Sequence, residues 1–162
     1  MKQNSALVLI ILISYIFHFL LTLYLPVAIY PSIPEFMLWY LILFYPEKIV
    51  LIIIQIFLLE TFSSPPVPGF YLLMTLFVAG GVSLAKLFFY VDSLLFVFIY
   101  LLSVEVLRWL LWGYILLIEG GTDGYGITYH LIFAALNLFA GTGAFLLFDQ
   151  ILRRKMYVEL VK

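Results

Sequence analysis

The chain has 162 residues, of which 66% are hydrophobic, 19% aromatic and only 10% charged, with a net charge of −1 and no cysteine. An average soluble domain is roughly half apolar and about a quarter charged, so this composition and a mean hydropathy of +1.20 point to an all-α integral membrane protein. Disulfides, thiolate metal sites and a cysteine nucleophile are excluded, no nucleic-acid partner is expected, and the abundant Tyr and Trp suit rings that anchor helices at headgroup depth.

Crossing a hydrocarbon core of roughly 30 Å takes about 20 apolar residues as helix. The first such run is 6–25; it carries one Lys before it and no small-residue cleavage site after it, and so reads as a retained span rather than a signal peptide. Next comes "VAIYPSIPE", where Pro31 and Pro34 forbid a regular helix. Two shorter segments follow, 34–46 and 49–63, joined by the turn "PEK". The apolar part of the first of these, 36–45, covers only about 15 Å as helix. The pair is therefore either two crossings, the first broken near its start, or a re-entrant hairpin. Beyond "LLETFSSPPVPGFYLL", whose prolines at 65, 66 and 68 stiffen a short turn, further spans are expected at 70–90, 93–118 and 129–152.

Charge placement favours six crossings of a single transmembrane domain. If every segment crosses, Lys2, Lys48, Lys86, Arg153, Arg154, Lys155 and Lys162 lie on one side, and Glu35, Glu119 and Asp123 on the other with no Lys or Arg among them. The positive-inside rule then makes both termini cytoplasmic.

Little chain is left outside the bilayer, so function must lie in helix surfaces or in the few polar groups at depth. Glu60, Glu105 and Arg108 stand out, because intramembrane charges cost about 2.5 to 3.5 kcal/mol each and are functional candidates by default. Glu105 and Arg108 are spaced i, i+3 and share a helix face; they form a salt bridge, or Arg108 orders another carboxylate such as Glu60 or a ligand anion. His18, alone on an apolar helix, reads as a hydrogen-bonded packing residue, and His130 as interfacial. Asn137 belongs to a small-residue face with Ala140, Gly141 and Ala144 that lets helices approach closely; Gly80, Gly81 and Ala85 read the same way. Asp149, before "RRK", suits a surface ion pair or helix contact. Asp123 sits in the glycine-rich loop "GGTDGYG", which lacks the preceding strand and the Lys of a phosphate loop.

Enzyme signatures are missing. A membrane aspartyl peptidase needs two carboxylates sharing a proton and two-metal chemistry needs clustered acids, whereas the acids expected at depth are Glu60 and Glu105, the latter beside Arg108. No catalytic, cofactor or metal residue is expected. Polar groups on the outer side are few: Glu60, Tyr71, Tyr125, His130 and Trp112.

Six closely spaced spans, a Pro-containing loop before "PEFMLW", then Glu60, Ser63, Ser64 and Gly69 at the next turn, and a basic tail after "LLFDQILRR" resemble the MreD family of rod shape-determining proteins over nearly the whole chain. The family more often has Asp where this chain has Glu60, and "PPVP" is unusual in it. The resemblance implies a fold similar to the substrate-binding subunits of energy-coupling factor transporters. It also implies a non-enzymatic scaffold of the bacterial inner membrane that binds MreC, a single-span coiled-coil protein, and through it supports RodA and its penicillin-binding partner in lateral wall synthesis. The alternative is a vitamin-binding subunit of such a transporter.

Overall fold

The computed structural model describes residues 2–24, 32–62, 67–88, 94–119 and 127–160. They form six helices: α1 (Lys2–Tyr24), α2 (Ile33–Phe44), α3 (Ile49–Phe62), α4 (Phe70–Ala85), α5 (Leu94–Glu119) and α6 (Ile127–Leu160). Segments within α1, α5 and α6 are long and apolar enough to cross a membrane: Asn4–Tyr24, Leu95–Ile115 and Leu131–Leu152. α2, α3 and α4 are shorter, at about 18, 21 and 24 Å.

Local chemistry sets the boundaries. Pro34 lies in the first turn of α2, where its missing N–H is no loss, and Glu35 beside it meets the positive end of the helix dipole. α2 stops at Tyr45, whose φ of −133° and ψ of 50° lie outside the helical region, which the following Pro46 disfavours. The turn that follows is closed by Lys48 N–H donating to Tyr45 O at 3.0 Å, and α3 begins at once. α4 starts after Gly69, whose φ of +85° is in the left-handed region open to glycine. α4 ends at Ala85, before the expected 90, and α6 continues past the apolar segment to Leu160.

α2 is the hub. Every residue from Pro34 to Leu43 is buried, because α1, α3, α4 and α6 all pack on it and α5 reaches it through Tyr100, whose hydroxyl donates to Trp39 O at 3.0 Å. A helix apolar all round belongs in the centre of a bundle or against lipid; α2 takes the first place. α3, equally apolar, keeps Ile53, Ile54 and Phe57 on the outside. Contacts along α2 also fix directions. Phe36 meets Gly141, and Tyr40 meets Phe145 and Phe148, so α6 runs with α2. Tyr71 reaches Glu35 and Lys86 reaches Leu43, so α4 runs with it too. Trp39 to Tyr100 and Glu35 to Arg108 set α5 antiparallel.

Where lipid replaces water, helices associate by close packing and hydrogen bonding more than by hydrophobic driving force. Tyr40 packs edge-on to Phe145 and Phe148, with centroids 5.3 and 5.5 Å apart, contacts worth about 0.5–1.5 kcal/mol each. Gly141 allows the approach of α6: a Cβ there would stand 3.0 Å from Phe36 Cε1 and 3.2 Å from Leu101 Cδ1. The small-residue face expected on α6 is thus a packing face. The one expected on α4 is not, since Gly80 and Gly81 are exposed with nothing within 4 Å of an added Cβ. Gly81 instead helps line an apolar groove of about 270 Å³ between α4 and α5.

Candidate functional site: a buried charge cluster

The cluster begins at the first turn of α2. Glu35 is 4% exposed, and both of its oxygens are engaged: Tyr71 Oη–H donates to Oε1 and Arg108 Nη2–H to Oε2. Arg108 also pairs with Glu105, its Nη1 standing 3.2 Å from Oε1 and 3.4 Å from Oε2. Three helices, α2, α4 and α5, are therefore tied together by one guanidinium, two carboxylates and a phenol. α6 adds Asn137, which lies beside Glu105, and α1 adds Tyr15 and His18, near enough to Glu35 to feel its charge.

Both the helix-face pairing of Glu105 with Arg108 and a second carboxylate on Arg108 are present, but that carboxylate is Glu35 and not Glu60. Glu35 was expected among the outer-side charges and is instead buried. Its signal was available as an acid in the first turn of a helix, but its burial follows from the central position of α2, which only tertiary packing sets.

Glu60 has a different task. Its Oε2 accepts from Gly69 N–H at 3.1 Å, and its Oε1 from Tyr71 N–H at 2.6 Å and Leu72 N–H at 3.4 Å. The first amides of a helix have no partner within it, and Glu60, from the end of α3, satisfies those of α4 and places negative charge at its positive pole. It is an internal cap, a structural role for one of the polar residues picked out at depth. Tyr71 joins the two carboxylates, its amide on Glu60 and its hydroxyl on Glu35.

At the opposite end Lys86 Nζ donates to Leu43 O at 2.7 Å, a cation on the C-terminal carbonyls of α2. Asp149 is partly buried near that end of α6. Asp123 lies outside the described residues, as does the side chain of His130. Among the described residues no group of three or more His, Asp or Glu is placed to hold a metal ion.

Several buried polar atoms near the cluster have no hydrogen-bond partner among the described residues: Tyr15 Oη, Arg108 Nε and Trp112 Nε1. Such groups cost about 1–3 kcal/mol each when left unmade, which makes this the polar centre of an otherwise apolar molecule.

Comparison with protein-family models, curated proteins and solved structures finds no match for this chain.

Proposed function

We propose that this chain is a non-enzymatic membrane scaffold of the MreD type, with six spans and both termini cytoplasmic, which binds a single-span coiled-coil protein like MreC in the bacterial inner membrane and so supports RodA, its penicillin-binding partner and lateral wall synthesis. The observation that carries it is where the charges go. Glu35, Glu105 and Arg108 pair with one another between α2 and α5, and Glu60 is consumed in capping α4. What the molecule turns outward is apolar helix surface, such as Leu72, Leu76 and Phe77 of α4 and Leu102, Val106 and Leu110 of α5, the kind of surface that meets lipid and other spanning helices. The alternating helix directions along α2 support crossing by the three short helices as well, and the positive-inside rule then favours the Lys48 and Lys86 end as the cytoplasmic one.

The second reading, a vitamin-binding subunit of an energy-coupling factor transporter, is favoured by one observation. Polar side chains on the Glu35 side are more numerous than expected from sequence, because α1 brings Tyr15 and His18 there. Affinity purification from the native membrane separates the two. The scaffold predicts a co-purifying single-span coiled-coil protein and no saturable vitamin binding; tight stoichiometric binding of a water-soluble vitamin would overturn it.

A further inference from the structure

The helices that expose apolar faces are of two lengths. The spanning segments of α1, α5 and α6, with 21, 21 and 22 residues, measure about 32 Å and suit a hydrocarbon core of about 30 Å. α3 and α4 stop at about 21 and 24 Å. α2 is shorter still, but it is enclosed and meets no lipid. α3 and α4 are not enclosed: Ile49, Ile53 and Phe57 of α3 and Leu72, Leu76 and Phe77 of α4 are exposed.

A short helix commonly meets a thicker bilayer by letting the side chains at its ends reach out to the interface. Here the charged side chains at the ends are committed elsewhere. Lys86 turns its ammonium to Leu43 O, and the carboxylate of Glu60 is held by the first amides of α4. The helices cannot simply run on either, since Pro46 lies in the turn before α3 and Gly69, at φ +85°, precedes α4. Tilting shortens the thickness that a helix covers, so it worsens the misfit. Lys48 and Glu60 thus stand only about 18 Å apart along the axis of α3. We propose that the protein thins the bilayer beside the α3–α4 face, drawing the headgroups of the two leaflets together there and taking short or disordered acyl chains as its neighbours. This rests on the crossing of the membrane by α3 and α4 proposed above.

The chain has no cysteine, so single cysteines on one exposed stripe of α3 test the proposal in the full-length protein: Ile49→Cys and Thr61→Cys at its ends and Ile53→Cys between them. Each variant is inserted in one orientation into sealed vesicles and treated with a membrane-impermeant maleimide from either side. A thiol surrounded by hydrocarbon stays protonated and unreactive. In dioleoyl phosphatidylcholine, Ile49→Cys is expected to react from one side and Thr61→Cys from the other, each roughly tenfold or more faster than Ile53→Cys. Helix ends about 18 Å apart cannot both reach water across an undeformed core of about 30 Å, tilted or not. Reaction at one end alone in this lipid therefore overturns the proposal. Vesicles of dimyristoleoyl phosphatidylcholine, with a thinner core, judge the crossing by itself. Both ends reacting there from opposite sides, with one end reacting in the dioleoyl lipid, sinks the thinning and keeps the crossing; reaction from one side only in both lipids sinks the two together. Fast reaction at Ile53→Cys, or a disulfide-linked dimer as its main product, also overturns the proposal, because water or a second copy of the chain then covers the face in place of lipid.

Discussion

Arg108 of α5 and Glu35 of α2 are ion-paired in the interior, 73 positions apart in the chain. The pair fixes the height of α5 against the central helix, and the second carboxylate on Arg108, Glu105, makes the guanidinium the only described cation in the cluster besides any proton on His18. Breaking such a network by removing its cation leaves buried carboxylates facing each other. Arg108→Met is therefore expected to cost about 3–5 kcal/mol, and Glu105→Gln far less, since Arg108 keeps Glu35. Thermal unfolding in detergent ranks them; equal losses would show that Glu105 and not Glu35 is the main partner of Arg108. A double-mutant cycle on Glu105 and Arg108 is expected to be non-additive, with a coupling that changes once Glu35 is replaced by Gln.

This network shows how far the sequence could be read. Spacing i, i+3 on one helix was enough to pair Glu105 with Arg108, and apolar runs bounded by proline and glycine placed all six helices close to where they occur. The long-range partner was not legible. Glu35 and Glu60 are both acids at the ends of apolar segments, and nothing local distinguishes the one that meets Arg108 from the one that caps α4. The choice depends on α2 being enclosed by its neighbours while α3 stays at the edge. Both helices are apolar all round, so their hydrophobic patterns do not separate those fates. Asn137 was legible as part of a close-packing face, which Gly141 bears out, but its neighbour across the contact, Glu105, was not.

Glu60 bridges the end of α3 to the start of α4 with one carboxylate on three amides. Glu60→Ala is expected to cost about 1–2 kcal/mol, as for loss of a good helix cap, and Glu60→Gln less because one acceptor oxygen remains. The effect should be local. Hydrogen exchange at the amides of Gly69, Tyr71 and Leu72 should accelerate in Glu60→Ala, while amides in the middle of α2 stay protected. Unchanged exchange at those three amides would remove the cap from the account.

Two glycines give opposite predictions. At Gly141 a Cβ comes within 3.0–3.2 Å of Phe36 and Leu101, and Phe36 is itself held in the core at 1% exposure. Gly141→Ala is expected to destabilise by about 1–3 kcal/mol through overpacking, and Gly141→Val by more. Gly81, on the open groove, meets nothing; Gly81→Ala should be neutral or stabilise α4 by up to about 1 kcal/mol. Unfolding of the two variants side by side checks the pair, and similar losses at both sites would mean that α4 is packed where the structure leaves it open.

Gln55 separates a hydrogen bond from a buried polar group. It is fully buried on α3; its Nε2–H donates to Pro34 O at 2.8 Å, while its Oε1 has no partner among the described residues. Replacing it with Leu loses the bond to α2, but it also removes an unsatisfied acceptor, and the first-turn carbonyl it served can still be used within α2. These changes nearly cancel, so Gln55→Leu is expected to lie within about 1 kcal/mol of the parent. Gln55→Glu has the same shape but adds a carboxylate, and a third acid near Pro34 and Glu35 has no cation left to meet. Its loss should exceed about 3 kcal/mol at neutral pH and shrink as the pH is lowered and the new acid is protonated. Melting curves of both variants at neutral and acid pH decide it: a Gln55→Glu variant as stable as the parent at neutral pH would mean that water reaches α3 at this level.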